Sequence, residues 1–289
     1  MSPLGRVSIV GAGQIGTTIG RALGRAEPRW GVETVELYDR DPDVVRRALR
    51  QGGADRAGPG LAPALDADVV VLAIPVDEIL AWLEDNAQGL RPGTLLVDTG
   101  SAKREVVRAM ARWVPPEVLA IGGHPVAGNE SSGPEAADPE LLQGAVFALT
   151  PVRRDPLAEL RARELVEALG ARPLVVDASR HDRVMARTSH LPHLLAAALV
   201  GVASRLLEEQ GPARELVGPG FRGATRLAAS DPGLVASFLC ANIAELSQAL
   251  RELGQELDRL GQALGAGSAV VEAALAQSQA ARVLLAGPA

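Results

Sequence analysis

The chain has 289 residues, 47% hydrophobic and 22% charged, which at this length favours two domains with separate moderate cores. Its 35 acidic against 29 basic side chains give a net charge of −6, and the basic residues are scattered rather than run together, so a polyanion surface and a nucleic-acid partner are excluded. One cysteine, Cys240, excludes an internal disulfide and fits a reducing cytoplasmic setting; in Ser237-Phe238-Leu239-Cys240-Ala241 it reads as a small buried hydrophobe, and the apolar run Val7 to Val10 is too short for a signal peptide or a membrane anchor.

In chain order, Val7-Ser8-Ile9-Val10 predicts a strand and the stretch after Gly16 a helix. Thr34-Val35-Glu36-Leu37-Tyr38 predicts a second strand, and 43–50 a helix stopped by Gly52-Gly53. Further strands are expected at 68–74, 94–97, 118–121, 145–149 and 173–176, with helices at 76–84, 103–113 and 157–169. Strands alternating with helices require crossover connections. The expected fold is therefore an α/β, Rossmann-like, doubly wound and mainly parallel sheet. After Asp177 the strand pattern stops, and the remainder is Ala/Leu-rich with helical periodicity, broken around Gly211-Pro212, Gly218-Pro219-Gly220, Asp231-Pro232-Gly233 and 265–267. This gives a dinucleotide-binding domain over 1–177 and an all-helical domain over 178–289. Helices expected at 243–264 and 268–285 carry wide Leu/Ala/Val stripes that so small a domain cannot easily cover, and a homodimer interface would cover them.

The loop Gly11-Ala12-Gly13-Gln14-Ile15-Gly16 follows a strand and opens a helix, the context in which a G-x-G-x-x-G motif points to a dinucleotide. Gly11 permits the tight turn, Gly13 admits the pyrophosphate to the backbone, and Gly16 lets the helix lie against the strand. The free N–H groups from Gln14 and Ile15 onward meet the phosphate charge. Asp39, at the end of the second strand, is placed to bind the ribose hydroxyls and to repel the 2′-phosphate of NADP. Arg40 points the other way but is followed by Asp41, so NAD is favoured over NADP. Ile74-Pro75, closing the next strand, shapes the nicotinamide side.

Three more segments lie outside cofactor binding. They are Asp98-Thr99-Gly100-Ser101-Ala102-Lys103; Gly122-Gly123-His124-Pro125-Val126-Ala127-Gly128; and Ser189-His190-Leu191-Pro192-His193, followed by Thr225-Arg226-Leu227-Ala228-Ala229-Ser230-Asp231-Pro232. His124 follows a strand of the cofactor sheet and should stand at its carboxyl edge, where imidazole can accept the proton of an alcohol being oxidised. Ser101 stands at a predicted helix start, either as an N-cap or as a substrate contact. His190 and His193 share a helix face that Pro192 should weaken; no third ligand motif accompanies them, so no metal is expected. His181 reads as a structural hydrogen-bonding residue near the domain junction. Arg226, in an apolar helical stretch, calls for an anion.

Taken in order along the whole chain, these segments resemble the prephenate dehydrogenase family, which includes arogenate dehydrogenases of tyrosine biosynthesis. The resemblance implies a soluble NAD(P)-dependent oxidative decarboxylation of prephenate, or of arogenate, or action on another small carboxylate by a related dehydrogenase. It implies His124 as the catalytic base, Ser101 orienting the substrate hydroxyl, and Arg226 with His190 or His193 holding carboxylates, in a dimer completed by the helical domain. The chain departs from the family pattern at Gly223, where an acidic residue is common, and at Val126 and Asn129. With the chain ending at Ala289, no C-terminal regulatory domain is expected.

Overall fold

The computed structural model describes residues 3–58, 65–128, 131–209 and 215–286; Asn129 and the break at Gly211-Pro212 lie outside them. Eight strands form one sheet: β1 (Gly5–Val10), β2 (Val32–Tyr38), β3 (Arg56–Ala57), β4 (Val69–Leu72), β5 (Leu95–Asp98), β6 (Leu119–Pro125), β7 (Val146–Pro151) and β8 (Arg172–Val175). Their order is β3-β2-β1-β4-β5-β6-β7-β8, parallel throughout except for the antiparallel β6–β7 pair. The two-residue β3 was not foreseen, because Arg56-Ala57 carries no strand pattern and is held only by pairing with Glu36 and Leu37.

The central strands are apolar on both faces, as crossover helices on both sides require. Val69 and Val71 enter one core with Val7, Ile9, Leu37 and Phe147; Val70 and Leu72 enter the other with Ile79, Leu96 and Met110. Helices α1 (Gln14–Leu23), α2 (Pro42–Arg50), α3 (Val76–Asn86), α4 (Arg104–Trp113) and α5 (Pro156–Ala168) follow the strands within a few residues of the sequence expectation. The strand order reverses between β1 and β4, and ligands of such sheets bind in the crevice at the carboxyl ends beside that point.

Beyond β8 the described chain is helical: α6 (Ala178–Met185), a π-helical turn (Ala186–His190), α7 (Leu191–Glu209), α8 (Pro219–Ala224), a 3₁₀ turn (Arg226–Ala229), α9 (Pro232–Ala241), α10 (Ile243–Ala266) and α11 (Ser268–Ala286). Two compact units result, Met1–Ile243 and Ala244–Ala289. Within the first, α9 packs on α3, with Phe238 in the second core and the Ser237 hydroxyl donating to Asp77 at 2.5 Å. This face of α9 leaves Cys240 on the other side. Cys240 is therefore exposed, correcting the expectation of a buried thiol. In the second unit Leu250, Leu257, Leu264 and Leu275 are all more than 40% exposed. Among the described residues no single helix is long and apolar enough to cross a membrane.

Candidate active site

The glycine loop takes the backbone geometry that its spacing predicts. Gly11 has φ +103°, and a Cβ there would stand 2.2 Å from the Ala73 carbonyl oxygen; one on Gly16 would strike the Gly11 carbonyl oxygen. A Cβ on Gly13 meets nothing within 4 Å. Two glycines thus pack backbone on backbone, and the third leaves open space at the start of α1, a helix N-terminus of the kind that can receive an anion. A cavity of about 910 Å³ opens there, lined by Gly11, Gly13, Asp39, Ile74 and Pro75 among others. Gln14, Ile15 and Gly16 do not line it: the Gln14 side-chain amide donates to the Ala136 carbonyl at 3.1 Å, and Ile15 packs on the first core.

Asp39 accepts backbone N–H bonds from Ala12 at 2.9 Å and from Asp41 at 3.0 Å, one on each oxygen. A carboxylate has about four acceptor sites, so capacity remains for a diol. Arg40 pairs with Glu78 of α3 at 3.1 Å, and both side chains line the same cavity. Glu78 thus offsets the cation that argued for a 2′-phosphate without removing it from the cavity wall.

His124 lies in β6 one strand beyond β5, and the glycine before it permits that closeness, since a Cβ on Gly123 would stand 2.3 Å from the Asp98 carbonyl oxygen. Gly123 N donates to Asp98 Oδ1 at 2.9 Å, and the Gly123 carbonyl accepts from Lys103 Nζ at 2.7 Å. Lys103 Nζ also pairs with Asp98 Oδ2, both side chains being wholly buried. The two ends of the Asp-x-x-x-x-Lys segment thus clamp the backbone that carries His124. Sequence reasoning quoted both residues without giving them this role.

The buried His124 ring is held by its Nδ1, 2.9 Å from His181 Nε2; His181 Nδ1 lies 2.8 Å from Asp182 Oδ1. Asp182 in turn accepts backbone N–H bonds from Lys103 at 2.7 Å and Arg104 at 2.9 Å, the free donors at the start of α4. Asn242 Nδ2 donates to the Asp182 carbonyl at 2.8 Å and lies 3.2 Å from His190 Nδ1. His181 therefore does make the structural hydrogen bond expected of it, but with His124 itself. Asp182 and Asn242 were missed. A carboxylate adjacent in sequence to a histidine on a helix does not ordinarily face it.

Burial pushes the His124 imidazole well below its ordinary range, with His181, Lys103 and His190 adding in the same direction. Burial also pulls His190 down to about 4 and lowers His193, the latter helped by nearby Arg226. For Asp182 burial acts upward, but the His181 bond and the two backbone donors outweigh it and hold the carboxyl below the usual range. At neutral pH these three histidines are uncharged bases and Asp182 is an anion.

Ser101 lies in the bend before α4, which starts at Arg104, so it is not the N-cap; its backbone approaches His190. The π turn at Ala186–His190 precedes Pro192, whose missing N–H cannot close an ordinary helical bond to Thr188. This widening sets His190 inside, wholly buried against Phe238 at 4.9 Å, and leaves His193 half-buried with its ring edge on the same phenyl at 5.3 Å. Arg226 is exposed in a 3₁₀ turn against α7. The expectation that burial forces an anion on Arg226 is corrected, because the apolar residues around it are themselves largely exposed. Its field nevertheless reaches His193; neither of these two, nor His124 or Ser101, lines the cavity beside Gly13. Gly223 is exposed, and a side chain there would meet nothing within 4 Å.

The chain matches the nucleotide-binding domain of prephenate dehydrogenase over residues 21–175 and the dimerization domain of prephenate dehydrogenase over 177–272. The first span starts after the glycine loop, whose role rests on the geometry above. The chain is 33% identical over 240 residues to a prephenate dehydrogenase of Lactococcus lactis, covering 82% of this chain but 65% of the relative, just under two thirds of its length. It is 32% identical over 245 residues to a cyclohexadienyl dehydrogenase of Zymomonas mobilis, covering 84% and 82% of the two chains. Its structure is similar, with a TM-score of 0.87 and 26% identity over 99% of both chains, to the crystal structure of prephenate dehydrogenase from A. aeolicus in complex with hydroxyphenyl propionate and NAD+.

Proposed function

The chain belongs to the prephenate dehydrogenase family, and from that premise we propose that it catalyses the NAD-dependent oxidative decarboxylation of prephenate to 4-hydroxyphenylpyruvate. The observation that carries this reading is a buried, neutral imidazole at the carboxyl edge of the same sheet whose Gly11, Gly13 and Asp39 line the cofactor-sized cavity. Gly13 and the N–H groups of α1 would take the pyrophosphate, Asp39 the adenosine ribose, and Ile74-Pro75 the wall beside the nicotinamide. When bound, NAD supplies the hydride acceptor.

His124 Nε2 accepts the ring hydroxyl proton as hydride leaves the carbon that bears the hydroxyl, and the ring carboxylate departs as carbon dioxide. Aromatisation makes the step irreversible. Ser101, on the bend between β5 and α4, orients the hydroxyl. Arg226, with His193 or His190, holds the carboxylates; the structure favours His193 for this, since it is half-buried beside Arg226 whereas His190 is sealed against Phe238. Positioning of these groups before the reaction begins is the main source of rate.

The match to a dimerization domain and the exposed leucines of α10 and α11 support a homodimer through the C-terminal helices. Initial rates at 340 nm with NAD and NADP, each against prephenate, arogenate and a panel of 2-hydroxy acids, test the assignment. The expected result is NADH formation with prephenate in preference to the others. Preference for arogenate would move the chain within the family, and turnover of a hydroxy acid alone would overturn the reading.

A further inference from the structure

We propose that His181 and Asp182 are positioning residues that fix the tautomer of His124, leaving its Nε2 bare to act as the base and sharing the charge it gains. This rests on the assignment of His124 as the proton acceptor. One chain of contacts links the three: His124 Nδ1 to His181 Nε2 at 2.9 Å, then His181 Nδ1 to Asp182 Oδ1 at 2.8 Å, with all three side chains buried.

An ionised carboxylate can only accept. Asp182 is kept in that state by the two backbone N–H donors of Lys103 and Arg104 and by the N-terminal end of α4. His181 Nδ1 must therefore carry a hydrogen, and in a neutral imidazole its Nε2 is then the acceptor. His124 must accordingly hold its hydrogen on Nδ1, which leaves the Nε2 lone pair free. The opposite tautomer would place two lone pairs, or two hydrogens, face to face in the His124–His181 contact. Once His124 takes a proton on Nε2, its Nδ1–H bond to His181 becomes charge-assisted, and the buried cation lies one ring away from a carboxylate. The other groups facing this pair are Lys103, already neutralised by Asp98, and His190, which burial keeps neutral at ordinary pH. Asp182 is therefore the available counter-charge for His124. Asn242, donating to the Asp182 carbonyl from the end of α9, fixes the backbone of the dyad.

Asp182→Asn tests the counter-charge. Lys103 N and His181 Nδ1 both meet Oδ1 and Arg104 N meets Oδ2, so an asparagine with its oxygen at the Oδ1 position keeps the first two contacts, turns its NH₂ on Arg104 N and carries no charge. The expected outcome is a fall in kcat of roughly ten- to a thousandfold, with KM for NAD and substrate within about threefold and the acid limb of kcat/KM moved to lower pH, because the imidazolium has lost its counter-charge. His181→Gln, which restores an acceptor opposite His124 Nδ1, should retain more than ten times the turnover of His181→Leu. Independently of activity, long-range ¹⁵N–¹H spectra of the whole enzyme should show His124 protonated on Nδ1 in the wild type and a population protonated on Nε2 in His181→Leu. A wild-type His124 protonated on Nε2 at neutral pH, or an Asp182→Asn enzyme with more than half of wild-type kcat and an unmoved acid limb, would overturn the proposal. The expected tautomers in a protein that does not oxidise prephenate would support the relay and count against the assigned reaction instead.

Discussion

Replacing Lys103 by methionine removes the cation that clamps the floor of the site while keeping an unbranched side chain of similar length. In the wild type its ammonium pairs with Asp98 and donates to the Gly123 carbonyl, with both charged side chains at 0% exposure. Methionine leaves the Asp98 carboxylate buried with two of its donors, Gly100 N at 2.8 Å and Gly123 N at 2.9 Å, but without a counter-ion. Breaking one side of a fully buried pair costs about 3–5 kcal/mol. If the stranded carboxyl takes up a proton instead, keeping an aspartic acid neutral at pH 7 costs about 4 kcal/mol, which caps the loss near the same figure. The sign with pH follows: the penalty is that of an uncompensated anion, so the gap between variant and wild type should shrink as the pH falls from 7 towards 4. Urea unfolding at pH 7 should show Lys103→Met less stable by about 3–4 kcal/mol, with the difference at least halved at the acid end. A loss under about 1 kcal/mol at pH 7 would refute the clamp.

Three further outcomes are expected. Arg226→Ala should raise KM for prephenate by roughly ten- to a hundredfold with NAD affinity within about twofold, and Arg226→Lys should recover only part of the loss, since an ammonium keeps the charge but not the planar fork; an unchanged KM would remove Arg226 from the site. The wild type should use NAD better than NADP, and Asp39→Ala should narrow the gap, whereas a tenfold preference for NADP in the wild type would contradict the role of Asp39. Because neutral imidazole is the active form and burial depresses its pKa, kcat/KM should stay flat across neutral pH and fall only below about 6.5, acid of an ordinary histidine. A limb centred at or above pH 7 would show that another group is titrating.

Much of this was legible in the sequence, for physical reasons. The doubly wound sheet announced itself because strand and helix patterns alternate, which requires crossover connections, and Val69–Leu72 and 95–97 prove apolar on both faces as flanking helices require. Gly11, Gly13 and Asp39 were legible because backbone geometry and phosphate chemistry leave few alternatives at those positions. His124 was legible because it ends a strand of that sheet. The environment of His124 was not, since it depends on contacts between residues far apart in the chain. Asp182 reaches Lys103 across 79 positions and Asn242 reaches His190 across 52. Likewise the neutral-pH ionisation that an ordinary histidine suggests gives way to a depressed one only once its burial beside Lys103 is known. Arg226 shows the converse. Its apolar neighbours in sequence imply burial, yet a short 3₁₀ turn leaves them and the guanidinium exposed.

In the proposed reaction His124 takes the substrate proton during hydride transfer. The turnover of His124→Asn at saturating NAD and prephenate, measured alongside the dissociation constants of both ligands, isolates that step. Asparagine keeps a polar group of similar reach but cannot serve as a base at neutral pH. The predicted result is a kcat lower by on the order of 10²–10⁴-fold with both dissociation constants within about twofold of wild type. A variant that binds both ligands and retains more than about a tenth of wild-type turnover would show that the proton leaves by another route and that His124 is not the base.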